Sequence, residues 1–259
     1  MPRTVKTEVS TRQDFARLID EMGLKVGVEL GVDKGYFSNY LLENSKLDVL
    51  YSIDAWQEGT GETLAAPRKA WTVRHGDEVK GGEATAREVL GRHGDSSVVV
   101  KALSFDAAAM FANADGTSDP GAGFQLVRPI DFIMFDAGHR FTGFALDLIR
   151  WWPKIRTGGV IAGHDYWRRY RYEVMDVANA FCAEHKLLMR LTWGDTSLDG
   201  RAYASPSFWT IKEALTKREF FDALPETLAG LRRAKAILKD KGVRVVLPYQ
   251  YADQEEADE

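Results

Sequence analysis

The chain has 259 residues, 45% of them hydrophobic, with 34 Lys and Arg against 38 Asp and Glu for a formal charge of −4. That length suits one large α/β domain with appendages, or at most two small domains. The acidic balance argues against a general nucleic-acid binder, which needs a basic surface to neutralise phosphates. No run approaches the length of a membrane helix, and the polar start MPRTVKTEVSTRQ has no signal-peptide core. The single cysteine, Cys182, excludes an internal disulfide and fits a reducing compartment, so a cytoplasmic protein is expected.

Strand-like and helix-like segments alternate along the chain, which predicts a doubly wound, mostly parallel sheet. A helix around Thr11 to Met22 comes first. The stretch VGVELGVDKGYFSNY, Val26 to Tyr40, follows as a buried strand that passes through Gly31 and Gly35 into a helix. Glycines there admit close approach of a ligand, and the helix start offers unpaired N–H groups to an anionic group. The pattern E-x-G-x-x-x-G from Glu29 to Gly35 lacks the second close glycine of the dinucleotide fingerprint, which disfavours an NAD-dependent oxidoreductase. A second strand, Val49 to Ile53, ends at Asp54, an acid placed to accept from both hydroxyls of a ribose. Read blandly, the same residues form an ordinary strand-to-helix turn with Asp54 capping a loop.

Gln57 to Gly82, holding Trp71 and His75, is long for a connection and is expected to be a lid or insertion. A helix near Glu83 to Arg92 leads to the third strand, Val98 to Lys101, and to Ala102-Leu103-Ser104, where a nucleotide-binding sheet of this kind would meet an adenine ring. Ala114 to Gly123 reads as a surface loop. Pro129 to Phe135 is the fourth predicted strand. A helix with Phe144, Leu148 and Trp152 on one side follows, and Gly158-Gly159 turn the chain into the fifth strand, Val160 to Ala162. Cys182 sits in a predicted helix as a packing residue. Leu187 to Thr192 and Ser207 to Ile211 close the sheet, and Ala214 to Lys239 form appended helices. The expected organisation is one domain over 1–249, with its core at about 24–211 and its helical appendage at about 212–249. A disordered acidic tail takes 250–259.

Ligands of open α/β sheets collect at the carboxyl ends of the strands. There the fourth strand delivers Asp136 and His139, and the fifth delivers His164 and Asp165. The bland reading makes the two acids helix caps and His139 a hydrogen-bonding residue. Trp56, Trp71, Tyr166 and Trp167 are candidates to wall a cavity or simply to pack. Arg168, Arg169 and Arg171 are candidates to bind an anionic acceptor, or a solvated helix face.

Over Val26 to Ile211, and most specifically in motif I and the segment GGVIAGHDY, the chain resembles the class I S-adenosylmethionine (SAM) methyltransferases. Within them it is similar to the catechol-type and macrocin-type sugar O-methyltransferases. The resemblance implies a seven-stranded Rossmann-like sheet that binds SAM through Glu29, Gly31, Gly35, Ser38, Asp54, Ala55, Trp56, Ser104 and Asp136. It also implies magnesium or manganese on Asp136, His164 and Asp165, and methyl transfer to an oxygen of a small molecule or sugar. His164 departs from the relatives, which carry an acid or amide there, and a histidine suits a transition metal better than magnesium. His139 stands where the catechol-type enzymes have a lysine base, and His139 or His164 is expected to accept the proton. Metal-free N- or O-methylation and a non-catalytic SAM- or nucleotide-binding module are the alternatives. No nucleic-acid or membrane partner is expected, and a homo-oligomer is left open.

Overall fold

A computed structural model describes residues 5–56, 82–119, 125–126, 128–166, 173–194, 205–213 and 215–243. Trp71, His75, Trp167, Arg168, Arg169, Arg171 and the acidic tail lie outside these residues.

The first helical segment is a 3-10 turn, Arg12–Asp14, running into helix α1, Phe15–Met22, which left-handed Gly23 ends. Strand β1, Val26–Leu30, is buried along its whole length, as a central parallel strand covered on both faces must be. Helix α2, Tyr36–Asn44, strand β2, Val49–Asp54, helix α3, 82–90, and strand β3, Ser97–Lys101, follow. Then come helix α4, Ser104–Ala107, strand β4, Ile130–Phe135, and helix α5, Phe141–Trp151. Strand β5, Ile155–Gly163, helix α6, Val174–Glu184, strands β6, Arg190–Leu191, and β7, Phe208–Ile211, and helix α7, Lys217–Asp240, complete the order.

The seven strands form one sheet in the order β3-β2-β1-β4-β5-β7-β6. All pairings from β3 to β5 are parallel, and β7 enters antiparallel between β5 and β6. The order reverses between β1 and β4, the switch point where a crevice opens at the carboxyl ends of the strands. One face of the sheet packs on α1 and α2 through Phe15, Leu18, Ile19, Phe37 and Leu41. The other carries a larger cluster in which Phe144, Trp151, Met175 and Cys182 join the strands.

Three expectations change. Gly158 and Gly159 lie inside β5 instead of turning the chain into it. The register slips between Ile130 and Phe132 of β4, whose partners are Ile155 and Val160, and left-handed Gly158 absorbs the extra residues as a bulge. The closing strand in Leu187 to Thr192 shrinks to Arg190–Leu191. The appended helices are one 24-residue helix, α7, which continues through Pro225. A reciprocal Thr216–Glu219 capping box starts it. Leu224, Leu228, Leu231, Ala234 and Leu238 bury its inner face in the same cluster as the strands.

Candidate active site

The β1–α2 loop is built by close contact. Gly31 has φ +87°, and a Cβ there would lie 2.3 Å from the Asp136 carbonyl oxygen and 2.6 Å from the Ala137 Cα. The glycine therefore lets the end of β1 touch the end of β4, across the switch point. Gly35 has φ +79°, and its missing Cβ leaves room for Ala86 and Leu90 of α3 at 3.2 Å. It seats a helix, a role that spacing alone does not reveal.

Asp54 ties this loop down. Its Oδ2 accepts from the amides of Val32 at 2.8 Å and Asp33 at 2.9 Å, and its Oδ1 from the amide of Trp56 at 2.8 Å. Ala55 and Trp56 continue the turn, with Trp56 at φ +42° and its indole N–H donating to the Asp33 carbonyl at 2.8 Å. Glu29 and Ser38 are both buried and bond to each other, and the Ser38 hydroxyl also meets that of Ser52 at 2.7 Å. Burial pushes the Glu29 carboxyl up to about 8 despite the Ser38 bond. Ser104 starts α4, but its hydroxyl donates to both carboxylate oxygens of buried Asp147 at 2.7 Å and so turns toward α5. Burial raises Asp147 to about 6.

At the ends of β4 and β5 four side chains converge. His139 Nε2 lies 3.0 Å from Asp165 Oδ2 and 3.6 Å from Asp136 Oδ1. His164 Nδ1 lies 3.4 Å from both Asp136 Oδ1 and Asp165 Oδ1. The His164 amide donates to the Phe135 carbonyl at 2.9 Å, which fixes the residue beside β4. Asp165 is held at φ +53°, a left-handed conformation uncommon outside glycine, and Ser205 donates to its Oδ1.

Burial opposes ionisation of Asp136, yet His164, His139 and Arg12 outweigh it and hold the carboxyl well below the usual range. Burial likewise opposes charge on His139, but bonds to Asp136 and Asp165 raise it to about 9. Asp165 is lowered, with burial overcome chiefly by the His139 bond and the neighbouring His164. Arg12 Nη1 reaches to 3.5 Å from Asp136 Oδ2.

The residues able to converge on one ion are Asp136, His139 and Asp165, whose ligand atoms all lie within 4.8 Å of one another. The histidine of this trio is His139, and the expected His164 also sets its Nδ1 3.4 Å from each of the two carboxylates. His164 turns Nδ1 to the carboxylates while its Nε2 is buried, with no hydrogen-bond partner among the described residues. Tyr166 is fully buried and donates its hydroxyl to Asn179 at 2.6 Å. Sequence reasoning missed Arg12, Ser205 and Asp147, none of which belongs to a local pattern.

The strand order, the glycine loop at the switch point and the acids at the ends of β2, β4 and β5 define a class I methyltransferase fold. The family described as "Methyltransferase domain" matches residues 28–166, more than half of the chain, and the chain belongs to it. Among solved structures it is similar to the O-methyltransferase of Bacillus cereus in complex with S-adenosylhomocysteine (SAH). The two are 15% identical over 81% of this chain and 83% of that one, with a TM-score of 0.52. It is also similar to TomG of Streptomyces achromogenes, an O-methyltransferase of tomaymycin synthesis solved with SAM, at 12% identity over 78% and 79% of the two chains and a TM-score of 0.49. At the Bacillus enzyme's identity, fold is all that follows. No curated protein matches the sequence. Among the described residues no helix is long and apolar enough to cross a membrane.

Proposed function

We propose that this methyltransferase takes its methyl group from SAM and delivers it to a hydroxyl of a small molecule or sugar, with His164 as the proton acceptor. One observation carries the reading: two carboxylates and two imidazoles meet at the ends of β4 and β5, against the loop where β1 touches β4. Methyl transfer from a sulfonium needs an aligned nucleophile, exclusion of water and removal of a proton. A carboxylate on one imidazole nitrogen orients the ring and leaves the other nitrogen to accept that proton. His164 has this geometry. His139 sits between two acids that hold its proton to about pH 9, so it is a poor acceptor near neutrality. Asp54 has three amides on its two oxygens and retains one lone-pair site, on Oδ1, for a ribose hydroxyl. The net charge of −4 also favours a small acceptor over a nucleic acid.

A metal-assisted variant is the second reading, favoured by the clustering of Asp136, His139 and Asp165. Two carboxylates and an imidazole suit manganese or another transition ion better than magnesium. The ion would polarise an acceptor oxygen and lower the pKa of its hydroxyl. It must displace the His139 proton and tolerate Arg12 beside Asp136, so its affinity should rise with pH.

The test follows label from methyl-labelled SAM into a panel of phenols, catechols, sugars and amines, with chelator or manganese, in wild type, His164→Gln and His139→Gln. Hydroxyl products that fall at least 100-fold with His164→Gln and far less with His139→Gln support the proposal. Transfer confined to amines, or equal losses in both variants, contradicts it.

A further inference from the structure

Arg12 lies outside the matched residues 28–166, yet it reaches the centre of the site. Its guanidinium lies 5.1 Å over the Phe37 ring of α2, and its side chain is only 19% exposed. Its position is built. Asp14 Oδ2 accepts the amides of Ser10 and Thr11, both at 2.9 Å, and the Ser10 carbonyl accepts those of Trp193 at 2.9 Å and Gly194 at 2.6 Å. The turn bearing Arg12 is thus pinned to the segment that leaves β6.

A guanidinium offers five donors in a planar fork. Here Nη1 makes one long contact with Asp136, while Nε is buried without a hydrogen-bond partner among the described residues. Leaving a buried donor unpaired is unfavourable, so a ligand group that pairs it gains what the free protein forgoes.

The surroundings say which ligand group that is. Asp54, Asp136 and Asp165 ring the strand ends, so an anion entering the crevice needs a cation to offset them. Four amides of the glycine loop are already taken: that of Gly31 donates to the Ile53 carbonyl, those of Val32 and Asp33 to Asp54, and that of Gly35 to the Val32 carbonyl. The protein's own carboxylate fills the place that a ligand anion would take on those amides. Of the groups that pair with Asp136, His139 is already shared with Asp165, whereas Arg12 has a guanidinium with donors to spare.

We propose that Arg12 receives the α-carboxylate of the methionyl part of SAM, through Nε and one terminal nitrogen as a bidentate pair. This rests on the SAM reading above and goes beyond it by naming the cofactor's anion receptor. The side chain is then a binding residue supplied from outside the matched region.

Calorimetry with two ligands decides it: SAH, and its decarboxylated analogue S-adenosyl-3-thiopropylamine, which lacks only the carboxylate. Each is titrated into wild type, Arg12→Met and Arg12→Lys, with unliganded melts confirming that the variants fold. A charged hydrogen-bond pair corresponds to roughly 10- to 100-fold in affinity. Wild type should therefore prefer SAH over the analogue by that factor. Arg12→Met should lose the preference by weakening SAH alone, and Arg12→Lys should keep part of it. A preference unchanged in Arg12→Met overturns the assignment, whether both affinities fall together because Arg12 only buttresses Asp136, or neither falls because Arg12 serves the acceptor. Failure of folded wild type to bind SAH at all is a different result and removes the SAM reading together with this one.

Discussion

Glu29 is the group whose titration most directly reports how the centre of this sheet is built. It is 2% exposed and bonded to Ser38, and burial raises its carboxyl from 4.5 to about 8. The folded protein therefore keeps a proton at pH 7 that the unfolded chain has already released. Stability falls wherever the folded state binds the extra proton, so this loss grows as pH rises from 4.5 toward 8 and is complete above that. At about 1.4 kcal/mol per pH unit, neutral pH lies about 3 kcal/mol down this slope. A Glu29→Gln substitution keeps an oxygen for the Ser38 hydroxyl and removes the titration. Urea unfolding of both proteins without cofactor, at pH 5 and pH 7, is the assay. The stability of the variant relative to wild type should rise by roughly 2 to 3 kcal/mol between the two pH values. A difference that does not change with pH would show that Glu29 is ionised in the folded protein, and the reasoning would fail.

The other predictions concern the ends of β1, β4 and β5. Gly31→Ala puts a Cβ 2.3 Å from the Asp136 carbonyl at a positive φ, and should lower stability by about 2 kcal/mol or more and reduce kcat by displacing Asp136, read by chemical denaturation and turnover. His139 is raised from 6.5 to about 9, so its ion pairs stabilise fully below pH 6.5 and are lost as pH rises through 9. In metal-free protein, His139→Gln should therefore be more destabilising at pH 6 than at pH 9.5, by about 2 kcal/mol, and equal effects at both would contradict the paired geometry. Ser205→Ala frees left-handed Asp165 and should reduce kcat about tenfold with little change in SAH affinity; a loss of affinity instead would place Ser205 with the cofactor.

The fold was largely legible because its signals are local. Buried runs such as Val26–Leu30 and Ile130–Phe135 and the glycines between strands and helices identify a parallel sheet from periodicity and turn chemistry alone. Gly158-Gly159 misled for the same reason: a glycine pair in a bulge carries the same local signature as one in a turn. Of the site, the strand-end acids and both histidines could be found from their positions. Their division of labour could not, because it depends on ring orientation: His164 presents Nδ1 to the acids, whereas His139 presents Nε2. The bond from the Ser104 hydroxyl to Asp147, 43 residues away, is likewise marked by no local pattern. Arg12 was invisible as a site residue because its partner Asp136 is far along the chain and nothing beside it in sequence marks the contact.

The measurement closest to the central claim is calorimetric titration of SAH into the intact protein and into Asp54→Ala. The account predicts micromolar binding by wild type and a loss of at least tenfold in the variant, which frees the loop amides of Val32 and Asp33 and removes the acceptor for a ribose hydroxyl. No heat from a folded wild-type sample, or equal binding by the two proteins, would contradict it.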